Sequence, residues 1–180
     1  MSGGRRLAAM FCAVPLLLVG CASSGDGLPD GALGPYPVVR VVDGDTVRVT
    51  RDSRTVTLRL IGIDTPETKD PRRPVECFGR EASRHARELL ASRRVYLEFD
   101  RSQGERDRYG RTLAYVWLRG SRAKLVNERM IDDGFAFEYT YRLPYRYQRR
   151  FRAAEADARR HSRGLWSPAT CGGDPDRPAR

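Results

Sequence analysis

"RLIGIDTPET" (residues 59–68) joins an apolar run to an acidic loop. The run over 60–63 is typical of a strand that enters a core, whereas two carboxylates, two threonines and a proline follow at once. Strict alternation along a strand would place Arg59 and Asp64 on opposite faces of the sheet. We therefore expect Gly62 to mark a bulge or bend that brings the arginine and the carboxylates to one site.

The chain before this loop predicts a three-stranded meander. Residues 37–64 alternate apolar and polar side chains and are rich in β-branched types, a pattern typical of strands with one buried face. The pattern breaks at the Asp-Gly-Asp turn over 43–45 and again over 51–54. The predicted strands cover 38–42, 46–50 and 55–63.

Beyond the acidic loop, helical and strand periods alternate. Helical periods cover residues 79–92, 123–134 and 144–164, and strand periods cover 93–100 and 111–120. In chain order this gives three strands, a helix, two strands and two helices. Such an order predicts an α+β fold, a five-stranded OB-fold barrel with three α-helices, a form that commonly presents a face that binds nucleic acid.

The N-terminal segment has the pattern of an export signal. Two arginines precede an apolar run over 7–19 that is too short for an ordinary membrane-spanning helix. The run ends in "LVGC" (residues 18–21), which resembles a bacterial lipobox. On this interpretation residues 1–20 are a signal peptide, and a lipid on Cys21 anchors the protein extracytoplasmically to the cell membrane. The alternative is a plain secretion signal and a secreted protein.

Composition divides the rest of the chain. Glycine, serine, proline and aspartate dominate residues 21–36, which predicts a flexible tether. The folded domain is predicted to cover 37–171. Residues 172–180 are polar and rich in proline and glycine, as in a disordered tail.

Two cysteines remain after the signal and the lipidation candidate, Cys77 and Cys171. An exported protein favours a disulfide between them, with two independent free thiols as the alternative. The cysteine spacings do not fit a zinc site, and the sequence has no CxxC motif.

The formal net charge of +10 indicates a polyanionic partner, either nucleic acid or anionic lipid. The sequence contains no GxSxG motif and no P-loop. Its two histidines, His85 and His161, are too far apart for a paired-histidine phosphodiesterase site, and we expect structural or surface roles for both.

Charged side chains gather where the predicted strands end. The first hairpin turn carries Asp43, which is an ordinary turn former, and Asp45. Asp45 shares parity with Val47 and so lies near the inward-facing side at the mouth of the barrel. A barrel can collect this turn and two later loops at one rim, and those loops contribute Asp64, Thr65, Glu67, Arg108, Tyr109 and Arg111.

Three motifs in register resemble the thermonuclease (staphylococcal nuclease) family: "DGDT" (43–46), "RLIGIDTPET" (59–68) and "DRYGRTLAY" (107–115). The resemblance extends from about residue 38 to residue 166. It implies an OB-fold barrel with helices and a Ca²⁺-dependent nuclease of low sequence specificity. It also implies that DNA and RNA are cleaved at the bond to the 5′ oxygen, which leaves 3′-phosphorylated products. We expect a monomer with no protein partner.

Phosphodiester hydrolysis explains the residue types. A hard cation held by oxygen ligands can bind a phosphate oxygen and orient a water, and Asp45 and Asp64 are suitable ligands. The resemblance adds the backbone carbonyl of Thr65. Arg59 and Arg111 can each bind phosphate oxygens bidentately and neutralise the charge that develops there.

The resemblance assigns the remaining roles. Glu67 corresponds to the candidate general base of the family. Four residues correspond to positions that hold a terminal phosphate and stack on a base, namely Arg108, Tyr109, Tyr139 and Tyr141.

Two other functions compete with the nuclease. The first is a nucleic-acid-binding OB-fold lipoprotein without catalysis, and the second is a structural envelope lipoprotein whose basic face meets anionic polymers. Arg59 could likewise be only a buried ion-pair partner. The survival of Asp45, Arg59, Asp64, Glu67 and Arg111 together favours the enzyme.

Overall fold

A computed structural model describes residues 27–69 and 74–178. The predicted signal peptide and Cys21 lie outside the described residues. Within these two ranges, none of the helices combines the length and apolarity that a membrane span requires.

Five main strands form a closed barrel. They are β1 (Leu33–Val41), β2 (Thr46–Arg51), β3 (Arg54–Leu60), β5 (Arg94–Glu98) and β6 (Thr112–Leu118). Neighbours along the order β3-β2-β1-β5-β6 pair antiparallel, and a parallel pairing of β3 with β6 closes the barrel. The predicted five-stranded OB-fold barrel with three α-helices is confirmed.

Three short strands were not predicted. β4 (Ile63–Asp64) pairs with β8 (Phe137–Glu138), and β7 (Lys124–Leu125) extends the sheet beside β6. Each has only two residues, so none shows a period-two pattern in the sequence. The β4–β8 pair matters most, because it fixes the chain where the acidic loop begins.

The core follows the predicted alternation. Val47 and Val49 on β2 are fully buried, as are Leu58 on β3 and Leu97 on β5. The side chains between them point outward, and Arg48 is exposed. Burial of apolar surface at roughly 25 cal/mol per Å² makes this face the main stabilising feature of the barrel.

Three α-helices cover the barrel: α1 (Gly79–Leu90), α2 (Val126–Asp132) and α3 (Gln148–Arg160). The last two are shorter than the helical periods suggest, since residues 124–125 pair as β7 and residues before Gln148 form a turn. Gly134 ends the α2 segment with φ +78°, and a Cβ there would lie 2.3 Å from the Arg163 carbonyl oxygen. A glycine is therefore required at this helix end.

The chain ends are tied to the domain. β1 begins at Leu33, within the segment predicted as a tether, and the Cys77–Cys171 disulfide joins the start of α1 to the C-terminal segment with a Cα–Cα distance of 5.9 Å. Residues 172–178 lie in turns, and the Cys77 N–H donates to the Pro175 carbonyl at 2.9 Å. The domain bounds 37 and 171 stay predictions.

Candidate active site

The strand bends at Gly62. β3 ends at Leu60, a turn follows, and Gly62 has φ +80°. A Cβ at this position would lie 2.5 Å from the Tyr145 ring, so both the backbone conformation and the close approach require glycine. Because of the bend, Arg59 Nη2 lies 2.8 Å from Asp64 Oδ1. The predicted bend is confirmed.

Three loops meet in one cavity of about 500 Å³. All of the predicted catalytic and metal-binding residues line it, together with two of the predicted substrate contacts. The lining residues are Asp43, Asp45, Arg59, Asp64, Thr65, Pro66, Glu67, Arg108, Tyr109 and Arg111.

Arg59 bridges two of the carboxylates. Its Nη1 lies 3.1 Å from Asp45 Oδ2, and its Nη2 contacts Asp64. Nη1 also donates to the Ile63 carbonyl at 2.7 Å, which holds the guanidinium against the bend. Asp45 is buried, and its other oxygen accepts a hydrogen bond from the Thr46 hydroxyl at 2.9 Å. The arginine is thus an ion-pair partner as well as a candidate phosphate ligand.

The aspartates of the cavity carry more negative charge than the positive charge of Arg59 can balance. Burial, and then the charge of Asp45, raise the pKa of Asp43 to about 6. Burial also raises the pKa of Asp64 to about 6, even though the Arg59 charge acts in the opposite direction. A desolvated group of like charges that one arginine does not balance favours a bound cation.

The donors at this site fit a hard, partly hydrated cation. Across residues 27–69 and 74–178, no group of three or more His, Cys, Asp or Glu side chains forms a complete metal site. The carboxylates of Asp45 and Asp64 and the backbone of Thr65 offer oxygen alone, and Thr65 N–H donates to Asp45 Oδ2 at 3.3 Å. Calcium accepts such oxygen ligands and completes its shell with water or substrate.

Glu67 is held by its own loop. Its Oε1 accepts hydrogen bonds from the N–H groups of Thr68 at 2.7 Å and Lys69 at 2.5 Å. Two further bonds join its backbone to Glu76: Glu67 N–H donates to Glu76 Oε2 at 2.8 Å, and Glu76 N–H donates to the Glu67 carbonyl at 2.9 Å. Glu76 directly precedes Cys77, which forms the disulfide with Cys171. The loop that carries Glu67 is therefore held next to a disulfide.

Arg111 is positioned by Asp107. Its Nε donates to Asp107 Oδ2 at 2.6 Å, and its backbone N–H donates to Oδ1 at 2.9 Å. Burial alone would raise the pKa of Asp107, but these hydrogen bonds outweigh it and hold the pKa below its usual value. The Tyr109 ring lies between two guanidinium groups, 4.8 Å from that of Arg108 and 5.3 Å from that of Arg111.

Tyr139 and Tyr141 stand apart from this cavity. Both rings are exposed, with centroids 6.3 Å apart, and neither is among the described residues that line it. The pKa of Arg108 is raised, first by the hydrogen bond that its guanidinium donates to the Tyr109 hydroxyl, and Tyr139 and Tyr141 are near enough to contribute electrostatically. Tyr139 N–H donates to the Gly62 carbonyl at 3.0 Å, which ties this segment to the bend.

Sequence reasoning missed several residues that build the site. Asp43 lines the cavity, although the sequence suggests only a turn former. Asp107 and Glu76 orient the arginine and the glutamate described above. Asn127 is fully buried, donates to the Ile61 carbonyl at 2.9 Å and accepts from Val116 N–H at 2.9 Å, so it fixes the start of the bend. The contacts of Glu76 and Asn127 have no local sequence signal, whereas Asp107 lies four residues before Arg111 in one motif, a spacing that could have indicated the pair.

Comparison with known proteins agrees with this geometry. The family model described as "Staphylococcal nuclease homologue" matches residues 57–168. The thermonuclease of Staphylococcus hyicus is 43% identical over 141 residues, which cover 78% of this chain and 80% of that protein. This chain belongs to the staphylococcal nuclease family.

Two further relatives of this staphylococcal nuclease homologue show how widely the likeness extends. The thermonuclease of Staphylococcus intermedius is 38% identical over 131 residues, 73% of this chain and 75% of its own. Endonuclease YncB of Bacillus subtilis is 39% identical over 129 residues, 71% of this chain and 59% of its own. The family is metal-dependent, in keeping with the oxygen donors of the cavity.

Proposed function

We propose that this protein is a Ca²⁺-dependent nuclease that hydrolyses the phosphodiester bonds of DNA and RNA with little sequence specificity and leaves 3′-phosphorylated products. The nuclease class is confirmed by the family and by relatives named thermonuclease and endonuclease. The observation that carries the finer proposal is the cavity itself, where undercompensated carboxylates face two arginines and Glu67.

Asp45, Asp64 and the carbonyl of Thr65 are the groups that would hold the cation. When bound there, Ca²⁺ would supply positive charge to a phosphate oxygen and favour ionisation of a water. Burial, together with the charge of Asp45, raises the pKa of Asp64, and this supports the assignment because a bound cation would offset the repulsion between the two carboxylates.

Arg59 and Arg111 act on the phosphate. Asp107 fixes the Arg111 side chain through its Nε, so little rotational entropy is lost when the guanidinium binds an anion. Arg59 is held through the Ile63 carbonyl while its charge is shared with the two aspartates. Both therefore offer preorganised charge where the phosphorus centre becomes more negative.

Glu67 is the proposed general base. Its Oε1 receives two backbone N–H groups, which orient the carboxylate and leave the other oxygen for a water. Deprotonation of that water would produce the nucleophile for attack on phosphorus.

The location is also proposed from the sequence. The "LVGC" motif supports an extracytoplasmic protein with a lipid on Cys21, and secretion without a lipid is the alternative. We also propose that the protein is a monomer. Mass spectrometry of the mature chain tests this, since an unmodified Cys21 would exclude the lipid anchor.

A cleavage assay tests the function. The chain without residues 1–20 is incubated with plasmid and single-stranded DNA, with Ca²⁺ or with chelator. We expect Ca²⁺-dependent degradation, and a loss of about 10²–10⁴-fold in Glu67→Gln, the range for a general base. Glu105→Gln, an exposed carboxylate outside the cavity, is the control. Tight, salt-sensitive DNA binding without cleavage under any divalent ion would instead support the non-catalytic binding protein.

A further inference from the structure

A second, larger groove lies between β1 and α1. Its volume is about 760 Å³, and Thr68 and Lys69, which directly follow Glu67 in sequence, line its nearer end. The groove is therefore continuous with the active-site loop. Its polar lining includes Arg40, Lys69, Arg80, Ser83, Arg84 and Arg87.

Most of the positive charge of this groove has no ion-pair partner within the described ranges. Among the residues that the structure describes, Arg40, Lys69 and Arg87 form no side-chain ion pair, and Arg84 reaches only Glu81, at 3.9 Å. Several arginines on α2 and α3 differ, because they pair with carboxylates. Examples are Arg129 with Asp133 and Arg159 with Glu155. Free positive charge within a concave surface concentrates the potential that attracts an anion.

The groove also contains an unsatisfied polar group. Ser83 is 6% exposed, and within the described ranges its hydroxyl has no hydrogen-bond partner. A buried hydroxyl without a partner costs free energy, so it is commonly completed by a ligand or water. Ser83 lies in the wall of the groove between Arg80 and Arg84 along α1.

The cations form a row along the helix. Arg80, Arg84 and Arg87 are spaced four and three residues apart, so they lie on one face of α1. At 1.5 Å per residue the row spans about 10 Å. A row of this kind suits a chain of repeating anions better than one small anion. Val39, 55% exposed on the facing strand, adds an apolar contact for a base or sugar.

We propose that the groove between β1 and α1 binds the phosphodiester backbone of a single-stranded nucleic acid beyond the bond that is cleaved. The proposal rests on the proposed nuclease function, whose substrate would extend past Glu67 along Lys69 into the groove. A membrane surface fits less well, because a flat layer of headgroups does not reach a recessed wall such as that formed by Ser83.

Binding is measured apart from cleavage. Anisotropy of a labelled oligodeoxythymidylate of about 16 nucleotides is recorded in chelator over a range of salt concentrations. A triple variant with Arg40, Arg84 and Arg87 each changed to Gln is expected to bind at least about tenfold more weakly. Its slope of log affinity against log salt should fall by about 2, since each phosphate contact contributes roughly 0.7. Ser83→Ala should weaken binding without changing this slope.

A matched triple variant controls for net charge. Arg54, Arg122 and Arg149 lie outside the groove, and their change to Gln removes the same charge. This control should bind and cleave as the unchanged protein does. In the groove variant, by contrast, the ratio of kcat/KM on the long strand to kcat/KM on a dinucleotide should fall about tenfold. Thermal melts establish that both variants are folded.

The outcomes separate the two proposals. If the unchanged protein cleaves neither substrate in Ca²⁺, the nuclease proposal fails while the binding comparison in chelator still decides the groove. If the groove variant binds and cleaves as the control does, the groove proposal is overturned and the nuclease remains. The groove proposal would also be overturned if the groove variant lost binding to phosphatidylglycerol vesicles but still bound the oligonucleotide.

Discussion

Two groups of carboxylates in this barrel differ in how their oxygens are satisfied. Glu98, at the end of β5, accepts hydrogen bonds from the Trp117 indole at 2.8 Å and the Tyr147 hydroxyl at 2.9 Å, and it pairs with Arg146. Asp100 accepts from the Tyr115 hydroxyl at 3.0 Å. These two carboxylates form the satisfied pair.

The cavity carboxylates Asp43, Asp45 and Asp64 form the acidic group. They share one bridging arginine, and burial raises the pKa of Asp43 and of Asp64 to about 6. In the satisfied pair, burial would raise the pKa of Asp100, but hydrogen bonds from Arg146 and Ser102 hold it below its usual value.

The difference shows that burial of charge does not by itself indicate function. A carboxylate with enough donors is already stable in the folded protein, whereas one with too few donors is stabilised by a proton or a cation. The satisfied pair therefore supports the fold, whereas we propose that the acidic group serves activity at the expense of stability.

The largest expected effect is on activity, from the acidic group. Asp64→Asn removes a proposed cation ligand and one partner of Arg59, so cleavage should fall by about 10²–10³-fold, a typical loss for one electrostatic group. Its melting temperature in chelator should be unchanged or higher, because the substitution removes repulsion. If Asp64→Asn instead melted several degrees lower and kept its activity, the acidic group would serve stability and the comparison would be wrong.

The satisfied pair predicts the opposite outcome. Glu98→Gln leaves the Arg146 charge without its partner and weakens the bonds to Trp117 and Tyr147. We expect a loss of about 2–4 kcal/mol in the free energy of unfolding, measured by urea denaturation. Cleavage per folded molecule should remain. Glu105→Gln serves as the exposed control, and equal stability of the two variants would contradict the comparison.

The sequence predicts these two groups unequally. Strict alternation would place Arg59 and Asp64 on opposite faces, so the sequence itself indicates that a bend at Gly62 brings them together. That inference depends only on local spacing. The satisfied pair has no comparable signal, since its donors come from β6 and from the turn before α3. The same reason explains why Asn127 was missed, since its partners are Ile61 and Val116. Partners that meet only through the fold leave no pattern in a single sequence.

The smallest expected effect is a pH dependence of stability. In chelator the folded protein keeps protons on Asp43 and Asp64 up to a pKa of about 6, whereas the unfolded chain releases them near pH 3.8. Between these values the folded state binds more protons, so stability falls as pH rises. Asp100 titrates below this window, because its folded pKa is lowered.

Calorimetry between about pH 4.5 and pH 7 measures this effect. We expect the melting temperature in chelator to fall by about 2–4 °C, which corresponds to about 1 kcal/mol in a domain of this size. Two fully buried groups with these pKa values would give a larger fall, but the Asp64 side chain is 51% exposed and solvent screens its charge. Asp43→Asn should roughly halve the fall, since it removes one of the two titrating groups. Saturating Ca²⁺ should abolish it, because cation binding requires the ionised carboxylates. A fall of equal size with and without Ca²⁺ would show that the acidic group does not hold the cation.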